Sequence, residues 1–157
     1  MAVLSINQQT SNVVSSAGVP QTVNGGEAIG RMVPVRLDTD NKWYISKATT
    51  SVGSQVHGIA ITECSGNDSK FVVLVFDQST PTFLFLGSGV LSHGVDYVVG
   101  ASGGIVPKSD LTSLQFITDV GRAVSTSVLK ARPTWTGATV IGSGSGGTDG
   151  PLTPFYE

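Results

Sequence analysis

Two histidines, one cysteine and a thin scatter of carboxylates are the residues from which this chain could build chemistry. Cys64 is the only thiol, and His57 and His93 stand apart from it and from each other, so no Cys/His group has metal-ligand spacing. Ser92-His93 and Asp96 supply the types of a nucleophile, a base and an orienting acid. Neighbours on one strand end point in divergent directions, however, and a triad needs its members to converge beside an oxyanion hole. No G-x-S-x-G elbow occurs, and the Gly-rich stretch near the C-terminus lacks the Gly-Lys-Ser/Thr ending that lets a loop hold phosphate. Asp38-Thr39-Asp40 opens like a calcium loop but lacks the glycine and the closing glutamate of that pattern, so it reads as a turn. Asn67-Asp68-Ser69 fits the glycosylation acceptor pattern, which matters only in a secreted chain. The expectation is a non-enzymatic protein with no catalytic residues, no metal and no cofactor.

The elements that must carry these residues are strands. The 157 residues suffice for one domain with a core. Only 13% are charged, Gly reaches 20, and Glu occurs only at Glu27, Glu63 and Glu157, which disfavours helices. Short runs rich in β-branched and aromatic residues alternate with turn clusters, predicting strands near 28–37, 42–48, 56–62, 70–77, 82–90, 95–99, 104–106, 115–126, 128–132 and 138–141. Asp38-Thr39-Asp40-Asn41, Ser65-Gly66-Asn67-Asp68 and Ser102-Gly103-Gly104 supply the turns of an antiparallel meander. A weak echo links Trp43-Tyr44-Ile45 followed by Gly58-Ile59-Ala60 with Asp96-Tyr97-Val98 followed by Gly121-Arg122-Ala123, which would make two related half-units. In both, the Gly-x-Ala opening would let strands cross closely at a barrel corner. The fold class expected is all-β, a small antiparallel β-barrel or β-tulip/sandwich.

Three regions follow from composition. Residues 1–26 are rich in Gln, Ser, Asn and Thr and read as an extended N-terminal arm outside the core. Residues 27–141 form the β-barrel domain, and residues 142–157 a Gly/Ser-rich linker and C-terminal tail ending Pro151-Leu152-Thr153-Pro154-Phe155-Tyr156-Glu157. The isolated apolar residues of the arm, Val13, Val14, Val19 and Pro20, and those of the tail, Leu152, Phe155 and Tyr156, are the candidate partner-binding residues. Each buried aromatic side chain would yield roughly 1.5–3 kcal/mol. Net charge is −2 with the cations scattered singly, so no nucleic-acid partner is expected. Arg31, Arg36, Arg122 and Arg132 could pair between subunits with Asp77, Asp110 or Asp119, although solvation is the default for each. The start of the chain lacks a secretory pattern and the longest apolar run, residues 71–76, is too short to cross a bilayer, so a soluble, cytosolically made protein with no membrane partner is expected. Trp43, Tyr44 and Trp135 are the aromatics that could form a sugar platform, whereas strand alternation puts one of Trp43 and Tyr44 in the core and the other at the rim.

The stretch Gly94-Val95-Asp96-Tyr97-Val98-Val99, then Ser102-Gly103-Gly104-Ile105-Val106-Pro107, then Val120-Gly121-Arg122-Ala123-Val124-Ser125-Thr126-Ser127-Val128-Leu129-Lys130 resembles a pattern recurrent in tailed-bacteriophage virion proteins. Gly26-Glu27-Ala28-Ile29 and Gly58-Ile59-Ala60 are similar to the small capsid decoration, or cement, proteins with a β-barrel or β-tulip body, so the resemblance spans about residues 26–132. It implies a homotrimer on the outer capsid surface of the virion, made in the cytoplasm of the bacterial host, that binds the major capsid protein and clamps neighbouring subunits. Related modules in head fibres, tails and baseplates, and a host-surface carbohydrate-binding domain, are the alternatives. The tail departs from the pattern, which leaves room for an adaptor role toward a second virion protein.

Overall fold

A computed structural model of the chain describes residues 12–15, 20–76, 80–87 and 89–141, with the backbone alone for residues 12, 14 and 15. The described residues form eleven strands and no α-helix, as the composition predicts: β1 (Asn12–Ser15), β2 (Pro20–Asn24), β3 (Pro34–Leu37), β4 (Trp43–Ile45), β5 (Gly58–Ala60), β6 (Lys70–Val75), β7 (Thr82–Phe85), β8 (Asp96–Val99), β9 (Ile105–Pro107), β10 (Phe116–Ala123) and β11 (Val128–Thr139). They make two antiparallel sheets, one in the order β1-β7-β11-β10-β8-β9 and one in the order β2-β6-β5-β3-β4.

The two sheets pack face to face. Met32, Ile59, Leu74 and Phe76 from one side meet Leu84, Leu86, Tyr97, Val99, Ile105, Val120 and Leu129 from the other in the main core. The five-stranded sheet also curls around a second core of Ile29, Val35, Trp43, Ala60, Cys64, Phe71 and Val73. β5 and β6 are therefore buried on both faces, Ile59 and Leu74 toward one core and Ala60, Phe71 and Val73 toward the other. A strand without a wet face loses polar alternation. That accounts for the unbroken apolar run at residues 71–76, the longest in the sequence.

Curling is completed by Gly25-Gly26. Gly25 N–H donates to Ser69 O at 2.8 Å and Gly25 O accepts from Asp68 N–H at 2.8 Å, holding the chain on β6, while Gly26 N–H donates to Trp43 O at 2.8 Å on β4. The backbone thus steps off β2, the outer strand beside β6, onto β4 at the opposite edge of the sheet, and Glu27 Oε2 extends the contact by accepting from Ile45 N–H at 2.8 Å. Side chains have no room here. A Cβ on Gly25 would run into Cys64 Sγ, and one on Gly26 into the Tyr44 ring.

The turns fall where the sequence puts them, with Asp38 and Asp40 each accepting a backbone N–H of its own loop and Asn41 and Asp68 in the left-handed conformation they tolerate. Gly58 and Gly121 are close approaches, as expected of the Gly-x-Ala openings, since a Cβ would press on Val73 and Leu74 at the first and on Lys130 and Ala131 at the second. The two half-units are not equivalent, however: β8 pairs directly with β10, whereas β3 lies between β4 and β5.

Three strand expectations change. Residues 28–33 are not strand, because Met32 takes φ 60° and turns its side chain into the main core after Ile29 has entered the barrel. Residues 128–132 and 138–141 merge into one long β11, whose pairing with β7 stops at Ala131, so that Pro133 and Gly137 fall on an edge where they are tolerated. The reading of residues 1–26 as an arm outside the core is corrected for its described part: β1 pairs with β7 and β2 with β6, each completing a sheet edge, and Val13 packs against the main core. Their polar composition suits edge strands with one wet face; β2 buries little beyond Val23. Residues 142–157 lie outside the described residues.

Gly25→Ala is expected to destabilise the protein by about 1–3 kcal/mol, the usual cost of overpacking. Denaturant titration of G25A, C64A and the double variant should show the double change costing less than the sum, because the added methyl occupies the space of the sulfur. Additive losses would contradict the contact.

Candidate functional site

The described strands converge on one surface depression at the open end of the curled sheet. β2, β3 and β6 bring Gln21, Leu37 and Val75 to it, β4 brings Trp43, and His57 precedes β5. The strands meet at this end: Val75 closes β6 opposite Gly58, which opens β5, and Leu37 closes β3 opposite Trp43, which opens β4, with Gln21 near the start of β2. The depression measures about 380 Å³. Trp43, only 5% exposed, lines it together with the imidazole of His57, which lies at a centroid distance of 6.3 Å and 85° to the indole.

His57 is held in one tautomer. Its Nδ1 accepts the Leu37 N–H at 2.9 Å, so the neutral ring carries its proton on Nε2. Partial burial holds the imidazole below its ordinary pKa, and the nearby Arg36 guanidinium adds to that. Arg36 itself pairs with Asp38 at 3.0 Å and lies 5.3 Å over the Tyr44 ring, whose hydroxyl donates to Asp40 at 2.6 Å. The alternation reading of the aromatic pair holds: Trp43 is in the barrel core and Tyr44 is half-buried on its outer face.

A second, charged notch of about 220 Å³ lies on the outer face of the six-stranded sheet over Gly121, lined by Asp96, Asp119, Arg122, Lys130 and Arg132. Arg122 and Asp96 join across β10 and β8 at 2.9 and 3.4 Å, and this hydrogen-bonded pair draws the Asp96 carboxyl below its usual range. Solvent screening leaves such an exposed pair with little net effect on stability.

A third feature is the far end of the β10–β11 ribbon. Leu114 is 75% exposed and takes φ 69°, its N–H donating to Val140 O at 3.0 Å beside Ile141, also 75% exposed. Trp135 is 44% exposed and anchored through Nε1 to Ser51 O and Ser54 Oγ, each at 3.1 Å, next to the exposed Val52.

Of the residues expected to bind a partner, the two whose side chains are described, Val13 and Pro20, are not brought together. Val13 is half-buried against the main core in one sheet; Pro20 is exposed at the start of β2 in the other. The side chain of Val14 and all of Val19, Leu152, Phe155 and Tyr156 lie outside the described residues, as does Asp77. Ser92, His93 and Asp96 form no relay: Ser92 N–H donates to the buried Tyr97 hydroxyl at 2.8 Å and Asp96 is engaged by Arg122. Sequence reasoning missed the barrel mouth because it depends on closure, although the flag was there in Gly25-Gly26 next to the change of texture at Glu27. It also missed Leu114, whose left-handed conformation no propensity rule assigns to leucine. No protein-family model, curated protein or solved structure matches the chain.

Because the folded state depresses the His57 pKa, its contribution to stability is complete above the unfolded value near 6.5 and is lost as pH falls below it. The lowered carboxylates Asp38, Asp40 and Asp96 act only near and below pH 4, so they leave that window clear. Thermal melts between pH 7.5 and 5.5 should show Tm falling in the wild type and falling less in H57N, whose amide oxygen can keep the Leu37 N–H bonded. Parallel curves would count against the assignment.

Proposed function

We propose that the protein is a non-enzymatic structural component of a tailed-bacteriophage virion, a decoration protein that binds the outer capsid surface as a homotrimer and cross-links neighbouring major capsid subunits. Of the residues that carry the resemblance, those within residues 94–130 support this reading by lying in β8, β9, β10 and the first part of β11, side by side in one sheet, while residues 26–29 and Gly58–Ala60 belong with the other sheet. The observation that carries a contact role is Leu114. An exposed leucine in the left-handed region costs about 1–2 kcal/mol, and although its N–H bonds Val140 O its side chain stays 75% exposed in the isolated chain. With Ile141 beside it, Trp135 further along the ribbon and Val52 in the turn that Trp135 bonds, it offers apolar surface worth about 25 cal/mol per Å² once covered. Three copies in one trimer would multiply such modest contacts through effective concentration. Leu152, Phe155 and Tyr156 add a further apolar contact to the shell or to a second virion protein.

The test is light scattering of the purified protein followed by co-sedimentation with undecorated capsids. A trimer that pellets stoichiometrically is expected; protein left in the supernatant would move the reading to a head-fibre, tail or baseplate module. L114G should hold or raise Tm, since glycine adopts the left-handed conformation freely, yet lower capsid occupancy. Replacing Phe155 and Tyr156 together by Ala should also lower occupancy without moving Tm.

A further inference from the structure

We infer that His57 is a pH-operated latch on the β3–β4 hairpin: its neutral imidazole ties the end of β3 down at the barrel mouth, and its imidazolium lets that end go. The inference stands apart from the virion reading, because it concerns the chain by itself. The main-chain ladder between β3 and β5 is short, pairing Pro34 with Ile59 and Val35 with Gly58, and His57 N–H closes it by donating to Val35 O at 2.9 Å. Further along β3, Leu37 N–H finds a side chain as its acceptor, His57 Nδ1 at 2.9 Å. Among the described residues that bond alone ties β3 beyond Val35 to the β5 side. A rung whose acceptor can take up a proton holds only while the acceptor is neutral.

Geometry decides what gives way. His57 cannot follow the strand, because its backbone is fixed on both sides, by Val35 O and by Phe76 N–H, which donates to His57 O at 3.1 Å. β4 stays as well, with Trp43 O taken by Gly26 N–H and Ile45 N–H by Glu27. Leu37 and the turn after it are free to lift, since their remaining tie to the body is the exposed Lys42 ammonium on Asp68 and Asn67. A protonated Nδ1 has no lone pair and becomes a donor, so Leu37 N–H would face a second N–H across the rung. The groups packed round the ring do not offset this. Gln21, Trp43 and Val75 from β2, β4 and β6 are uncharged, and the charge that β3 brings is the Arg36 guanidinium, itself paired with Asp38 at 3.0 Å. Burial and then the Arg36 charge hold the ring below its ordinary pKa of 6.5, so the latch is closed above that value and opens as pH falls below it.

Amide hydrogen exchange on the full chain, corrected for the intrinsic dependence of exchange on pH, tests this. Between about pH 7.5 and about pH 5, Leu37 should lose protection with the midpoint of the His57 ring titration, while the amides of β5 and β6 keep theirs. In His57→Asn, whose side-chain oxygen takes the place of Nδ1 and does not titrate, Leu37 should stay protected throughout. Replacing the exposed His93, the other histidine, by Asn should leave the wild-type loss in place. A Leu37 amide that stays protected while the His57 ring titrates overturns the latch. Protection lost by Leu37, β5 and β6 together also overturns it, because that is global destabilisation and not release of one strand end. A loss that persists in His57→Asn or vanishes in His93→Asn would assign the switch to another group.

Discussion

Two glycines without side chains allow the backbone to pass between Cys64 and Tyr44, and the architecture rests on that passage. Gly25 and Gly26 carry the chain from β2, beside β6, across to β4, turning five short strands into a wall around a core of their own. Without that step β4 would keep an open edge, and Trp43, the largest side chain of the inner core, would face water. The same step gathers Gln21, Leu37, Trp43, His57 and Val75 at one rim. The mouth is thus a consequence of closure and not of any local motif.

This division explains what was legible in the sequence. Turn chemistry is local, and Asp38, Asp40, Asn41 and Asp68 announce their loops because their own side chains or conformations make them. Burial on one face is also local in its periodicity, so the alternation of Trp43 and Tyr44 could be read directly. Long-range pairing is neither. The polar texture of residues 1–26 describes equally well a free arm and two wet edge strands, and only the partners β6 and β7 decide between them. Met32 illustrates the opposite failure: the short β-branched runs suggested one strand across residues 28–37, but the need to serve two cores in succession broke it with a left-handed turn. The candidate contact surface was illegible for a similar reason, since Leu114 is an ordinary leucine until its dihedral angle is known.

β5 and β6 are the common wall of both cores, and this couples them energetically. Ile59 and Leu74 belong to the sandwich while Ala60, Phe71 and Val73 belong to the barrel, so either core can come apart only by exposing one side of the same two strands. Gly58 tightens this wall by letting β6 approach to within contact of its Cα.

The connectivity also sets an order of assembly. The five-stranded sheet is complete within residues 20–75, whereas the six-stranded sheet takes its strands from residues 82–139 and then borrows β1 from the other end of the sequence. During synthesis the barrel can close while the rest of the chain is still being made, with β1 tethered at its side and its partner not yet emerged. β7 then receives β1 on one flank and β11 on the other, joining the first and last strands of the sequence through a single intermediary. The slowest and most non-local pairing is thereby reserved for a body whose first half is already solid.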